Sequence, residues 1–210
     1  MTAEADQLHP TEIALSGLHT DPPLWDLNPA ASWTFTPAGS SQPAVMSITK
    51  VGKAKTKPVR RLSTYAVLSD HRWTEAVIDL RVRSDEPAEK KGRDVCIVLG
   101  YVDDFHYTYV HLSNDADGRA HNIIMKVEGD TRRTIHTPAK PEARLTGDQW
   151  HDLRIQFDQR GRIAVYHGSM ETPLMTAAAP DIVGKPIGVG SFNDRASFTG
   201  ITIKGKNPER

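Results

Sequence analysis

The sequence predicts an all-β protein: two packed antiparallel sheets forming a sandwich. Three observations carry this. From Ser32 almost to the C-terminus, short runs of alternating apolar and polar residues recur. Gly, Pro, Asp and Asn separate them at hairpin spacing, and no stretch sustains a 3.6-residue period. About a dozen runs of this kind are more than one open sheet usually holds, so two stacked layers are expected.

Residues 1–30 are rich in Pro, Asp and Thr and contain one short helical pattern, over residues 12–18. They read as a wrapping, partly irregular N-terminal arm. The sandwich is expected over residues 31–206, with 207–210 as a tail. Predicted strands cover residues 44–49, 64–69, 76–83, 94–101, 106–112, 121–127 and 131–136, then 150–158, 162–167, 174–177, 186–192 and 198–204. Two joints are explicit: Asp158-Gln159-Arg160-Gly161 is a tight hairpin, and Glu128-Gly129-Asp130 links two further runs. Val51 to Arg61 carries Lys53, Lys55, Lys57, Arg60 and Arg61. It reads as a solvated loop, or as a basic lip that attracts an anionic polymer. Ser84 to Arg93 is a mixed-charge connection.

Across 210 residues Lys+Arg and Asp+Glu are equal at 26 each, so no overall field favours nucleic acid or an anionic membrane surface. Neither is expected as a partner. Cys96 is the only cysteine and lies in the apolar run VCIVLG, which makes it a buried small hydrophobe and leaves no intramolecular disulfide. No leader pattern opens the chain, and no apolar stretch approaches the roughly 18 residues of a membrane span. As written, the chain is expected to be cytoplasmic; if a leader has been removed, secreted or periplasmic.

The most informative segment is VCIVLGYVDDFHYTYVHLS, Val95 to Ser113. Two β-type runs flank the turn Val102-Asp103-Asp104-Phe105. The second places Tyr107, Tyr109 and His111 on one face and Thr108, Val110 and Leu112 on the other. The run from Val77 to Arg83 likewise points Ile78, Leu80 and Val82 one way and Asp79, Arg81 and Arg83 the other. If the two runs share a sheet, as neighbours in sequence usually do, they line one surface.

The C-terminal half adds an ordered pattern: Gln149-Trp150-His151-Asp152-Leu153-Arg154-Ile155, Gly161-Arg162-Ile163-Ala164-Val165-Tyr166, Ile187-Gly188-Val189-Gly190-Ser191-Phe192, and finally Phe198-Thr199-Gly200-Ile201-Thr202-Ile203. With the upstream runs it resembles the concanavalin A-like lectin/glucanase superfamily over about Trp33 to Lys204. Its nearest branches are the laminin-G-like domains and a domain of unknown function linked to 3-keto-glycoside hydrolysis. The resemblance implies a jelly-roll sandwich whose concave sheet holds an oligo- or polysaccharide. Fold alone does not establish an activity.

Glucanases of this fold carry Glu-x-Asp-x-Glu on one strand. No such motif occurs here, so paired-carboxylate retaining chemistry is not expected. The candidate catalytic residues are Tyr109, His111 and Arg81; the candidate substrate-binding residues are Asp79, Arg83, Tyr107, Asn122 and Lys126. Tyrosine offers a ring for a pyranose face, and arginine a two-pronged contact to a uronate or sulfate, so an acidic glycan suits them. A lyase would use Arg81 to neutralise the uronate with His111 and Tyr109 as base and acid. A 3-keto-glycoside hydrolase and a laminin-G-like protein-interaction module are the alternatives.

Six histidines (His71, His106, His111, His121, His136 and His151) lack a metalloprotease-type spacing, and no metal is expected from them. The run Ser113 to Gly118 fails as a helix-loop-helix calcium site because Ile124 stands where a bidentate Glu is needed. A structural calcium on Asp103, Asp104, Asp115 or Asp117 is the one remaining ion the sequence leaves open. Gly188 to Asn193 lacks the third glycine of a dinucleotide loop, and Trp73 and Trp150 read as core anchors.

Overall fold

A computed structural model describes residues 9–12, 24–40, 42–53, 55–115, 119–138, 142 and 145–206; for 9–12 it describes the backbone. The described residues form sixteen strands. They are β1 (His9–Glu12), β2 (Asp26–Asn28), β3 (Trp33–Thr36), β4 (Val45–Ile48), β5 (Thr64–Val67), β6 (Glu75–Ser84), β7 (Asp94–Asp103) and β8 (His106–Ser113). The rest are β9 (Ile123–Glu128), β10 (Thr131–Thr134), β11 (His136–Thr137), β12 (His151–Phe157), β13 (Arg162–His167), β14 (Met175–Ala178), β15 (Ile187–Ser191) and β16 (Ala196–Lys206).

These strands make two antiparallel sheets. One has the order β11-β14-β13-β12-β6-β16-β4-β3, with β1 pairing along the half of β16 that β4 leaves uncovered. The other runs β10-β9-β8-β7-β15-β5-β2. This is the two-layer all-β sandwich that the alternating pattern implies. All twelve predicted runs are present, the 131–136 run dividing into β10 and β11. The sequence pattern does not reveal β1, β2 or β3, which are three or four residues long. Of the predicted helical stretch at 12–18, Glu12 ends β1 and the remainder lies outside the described residues, as does the 207–210 tail.

The core fills the space between the layers. Ile78, Leu80 and Val82 of β6, Leu153 and Ile155 of β12, and Phe198 and Ile203 of β16 face Val95, Ile97 and Leu99 of β7, Val110 and Leu112 of β8, and Val189 of β15. Burying each such side chain contributes about 1.5–3 kcal/mol. Trp73 joins this core as predicted, but Trp150, expected to do the same, is only partly buried and lines a surface cleft.

A second apolar cluster lies on the outer face of the seven-stranded sheet: Tyr65, Cys96, Val98, Tyr107, Tyr109, Ile123, Met125 and Phe192, roofed by Val59 and Leu62. Strand β7 is therefore buried on both faces, which explains its nearly unbroken apolar sequence. Gly100 breaks its register. The backbone there has φ +65°, and a Cβ would lie 2.6 Å from Ile182 Cα, so only glycine fits.

The connection from β6 to β7 crosses from one sheet to the other. That crossover decides where the predicted site residues can meet.

Candidate functional site: a charged cleft beneath a basic strap

Strands β7 and β8 pair so that Cys96 lies directly opposite His111. Because alternate residues share a face, Asp94, Cys96, Tyr107, Tyr109 and His111 all point to the outer side of the seven-stranded sheet. The hairpin pattern read from the sequence is correct in this respect, and Cys96 is a buried free thiol.

Most described residues of the basic segment 51–61 are exposed, as a solvated loop would be, but Lys55, Val59 and Arg61 hold it down on the sheet. It straps across this face. Lys55 pairs with Asp104 at 2.9 Å, the Leu62 amide donates to Tyr107 Oη at 3.1 Å, and Arg61 stacks 4.1 Å from the centre of the Phe105 ring. Tyr109 is fully buried; its hydroxyl accepts from Arg132 Nε at 2.7 Å and donates to Met125 Sδ at 3.2 Å. Burial pushes the Tyr65, Tyr107 and Tyr109 phenols far above the ordinary tyrosine range. Tyr107 thus ties the strap to the sheet, Tyr109 is bound to Arg132 and Met125, and both are buried.

Where the strap ends, a cleft of about 330 Å³ opens, lined by Arg60, Lys90, Lys91, His121 and Arg132 with Asp94, His111, Phe192 and Asp194. Four cationic side chains against two carboxylates give it a positive balance. The guanidinium groups of Arg60 and Arg132 both lie over the Phe192 ring, 5.4 and 5.2 Å from its centre. Gly92 adopts φ +69° in the wall; a Cβ there would lie 3.0 Å from His121 Nε2.

The cleft floor is a buried polar knot. His111 Nε2 is 3.1 Å from Asp94 Oδ2, off the hydrogen-bonding axis. Asp94 Oδ1 accepts from Ser191 Oγ at 2.9 Å and the Phe192 amide at 3.3 Å, and the Asp94 amide donates to Asp194 Oδ2 at 3.0 Å. Asp194 also pairs with Lys90, which reaches Glu86 at 3.2 Å. These surroundings split the two carboxyl groups. Burial acts to raise Asp94, but His111 and the donors from Ser191 and Phe192 outweigh it and hold the group below its usual range. Burial and the neighbouring Asp94 charge push Asp194 up to about 6, against the opposing pull of Lys90.

The other predicted site residues do not join this cleft. Arg81, Asp79 and Arg83 sit on β6, in the opposite sheet, and face its outer side. The expected common surface with Tyr109 and His111 does not form, because β6 and β7 belong to different layers. Asp79 is held by a two-pronged contact from Arg154 at 2.7 and 3.1 Å; Arg81 and Arg83 lie over Trp150, 5.9 and 4.9 Å from its ring centre. Asn122 is buried with φ 51°, accepting from the Ser113 amide at 3.0 Å and donating to the Asp115 carbonyl, so it builds a turn. Lys126 falls on the opposite alternation and pairs with Glu128 at 2.8 Å and Asp181 at 3.3 Å. Asp103 contacts His106, and Asp117 lies outside the described residues.

No family model matches the chain, and no curated protein matches it by sequence. Solved structures match it by shape. The GH43 protein BlXynB from Bacillus licheniformis superposes with a TM-score of 0.58 at 10% identity, over 87% of this chain and 37% of that one. The chain thus spans little more than a third of that protein's length. The VIP36 exoplasmic/lumenal domain in its Ca2+-bound form gives 0.57 at 10% identity over 96% and 92%. Its form bound to Ca2+ and Man3GlcNAc gives 0.53 at 11% over 91% and 87%. The fold is that of the lectin-like and glucanase β-sandwiches.

Among the described residues three other clefts lie on the sandwich. One of about 800 Å³ lies along β12–β14, mostly against Ile135, Ala164 and Ala177, with Asp158 and Arg162 tied to each other. Another of about 680 Å³ surrounds Trp150, His151 and His167. A third, of about 430 Å³, lies at Val102, His106 and Lys126, where the partner side chains of Glu128 and Asp181 are exposed. All three are larger than the cleft at His111, yet none has a buried, interlocked set of ionisable groups with opposed shifts, which is the better mark of a functional site. In the cleft at His111 the sequence reading missed Lys90, Asp94, Arg132 and Asp194, and named Arg60 only as part of a basic lip. Two signals pointed there: Val59 and Leu62 interleave the basic run, an apolar rhythm a free loop does not need, and Asp94 stands two residues before Cys96 on one strand face.

Proposed function

We propose that the protein binds carbohydrate in the cleft at His111, and that the sugar it takes is acidic. One observation carries the reading: Arg60 and Arg132 both lie over the same aromatic ring in a positively balanced cleft. Guanidinium forks match a carboxylate or sulfate, and about 330 Å³ is at the small end of ligand-pocket size, enough for a sugar unit or two. A lectin crystallised with mannose among the structures of the same fold supports a saccharide as the class of ligand. Arg60 and Arg132 take the role the sequence reading gave to Arg81.

A second reading, cleavage of the bound glycan, is favoured by the split between Asp94 and Asp194. A carboxyl group raised to about 6 beside one held ionised is the pairing that acid–base chemistry uses. The reaction would be hydrolysis or elimination with His111 close to the reacting sugar.

Calorimetric titration with neutral and uronate oligosaccharides tests the proposal. Uronates are expected to bind, Arg60→Ala to weaken them about tenfold, and Arg81→Ala to change nothing. Binding of neutral sugars alone, or no binding, contradicts it. Assays for unsaturated uronates and new reducing ends then separate cleavage from binding.

A further inference from the structure

We infer that Asp94, Cys96 and His111 form a site for a divalent transition metal, zinc by its donor set, at the floor of the cleft. The inference stands apart from the glycan reading, since metal retention is measured without any sugar. It also departs from the sequence expectation, which weighed only spacings between histidines.

The strand register creates the site. Cys96 and His111 are cross-strand partners, and Asp94 precedes Cys96 by two residues on the same face, so three donors converge from two rigid strands. One carboxylate oxygen, one thiol sulfur and one ring nitrogen all lie within 4.8 Å of one another. Tetrahedral zinc, with bonds of about 2.0–2.3 Å, sets its donors roughly 3.2–3.8 Å apart. The 3.1 Å between Asp94 Oδ2 and His111 Nε2 is already close to that edge, and the thiol needs to close by at most about 1 Å.

A second, independent observation is the state of His111. The residue is 4% exposed, yet neither ring nitrogen has an aligned hydrogen-bond partner. A simple buried histidine–carboxylate pair would direct its N–H along the oxygen, since an unmade buried hydrogen bond costs about 1–3 kcal/mol. A cation between the two groups removes that penalty. The mixed sulfur, nitrogen and oxygen set selects zinc-type ions over calcium or magnesium. Ser191 Oγ and the Phe192 amide fix the other Asp94 oxygen, as supporting donors do around metal-bound carboxylates. Asp94 and His111 also line the 330 Å³ cleft, so the fourth position opens towards a water or an anionic ligand.

The test uses the full chain without an affinity tag. After loading with Zn2+ and desalting, elemental analysis should find close to one equivalent per chain. Loading with Co2+ should give visible d–d bands together with a thiolate-to-cobalt charge-transfer band. Cys96→Ser should abolish the charge-transfer band, and His111→Ala should weaken retention at least about tenfold, with near-ultraviolet circular dichroism reporting the fold of each variant. Wild-type protein that retains no metal and shows no charge-transfer band overturns the inference without recourse to any variant. Equal retention by wild type, Cys96→Ser and His111→Ala overturns it as well. Metal retained without uronate binding would sink the glycan reading alone, and the reverse result the metal site alone.

Discussion

On the outer face of the larger sheet, Asp79 and Arg154 pair with about a third of each side chain in solvent; on the outer face of the smaller sheet, Asp94 and His111 pair at 5% exposure each. Both faces carry aromatic and charged side chains. The difference is a roof. Segment 51–63 lays Val59 and Leu62 over the tyrosines of β8, while nothing comparable among the described residues covers Arg81, Arg83 and Trp150. Electrostatic contacts gain strength under that roof and are screened on the open side. Ionisable groups that line up along a strand therefore acquire perturbed chemistry only where a distant segment shuts out water.

Substitutions on the two faces should separate accordingly. The largest effect is expected from Tyr109→Ala, which removes a fully buried ring together with its contacts to Arg132 and Met125: about 3–5 kcal/mol lost in urea unfolding. Arg81→Ala, on the open face, should stay within about 0.5 kcal/mol. Similar losses for the two variants would erase the contrast.

His111→Ala comes next, because it strands Asp94 in a site where the carboxylate depends on it. A loss of about 3 kcal/mol is expected at neutral pH, and a loss under 1 would mean the pair is not energetically buried.

The pH dependence is smaller and has a definite sign. Asp194 holds its proton more tightly in the folded chain, about 6 against 3.8, so its contribution is complete below about pH 3.8 and is lost as pH rises through 6. Its ceiling is about 3 kcal/mol. Asp94, held low, acts in the opposite sense: its contribution is present above the ordinary carboxylate range and is lost as pH falls through its depressed value. Asp194→Asn should therefore gain stability relative to wild type between pH 4 and 7, read from urea midpoints. A pH-independent difference would show that Asp194 titrates normally. Smaller again should be the loss from Asp79→Ala, which breaks a pair about one-third exposed and worth about 0.2–1 kcal/mol.

Much of the fold was legible because several long strands advertise themselves: β6, β12 and β13 alternate, and Asp158 to Gly161 turns between β12 and β13. The short strands β1 to β3 are too brief to show a period. Less of the site was legible. The faces of Tyr107, Tyr109 and His111 followed from alternation, but their burial depends on a segment some fifty residues upstream, which no local pattern encodes. Arg81 was placed beside them on the premise that β6 and β7 are neighbours; a nine-residue connection instead carries the chain across the sandwich. Arg60, Arg132 and Asp194 reach the cleft from three separate segments, and only the folded register brings them together.

The central claim is that ligand binds the roofed face and not the open one. Mapping backbone amide shifts during titration with a uronate oligosaccharide tests it most directly. The account predicts saturable shifts at Lys91, His111, His121 and Asn193 around the cleft, with Arg81, Trp150 and His167 unmoved. Shifts gathered at Arg81, Trp150 and His167 instead would contradict it.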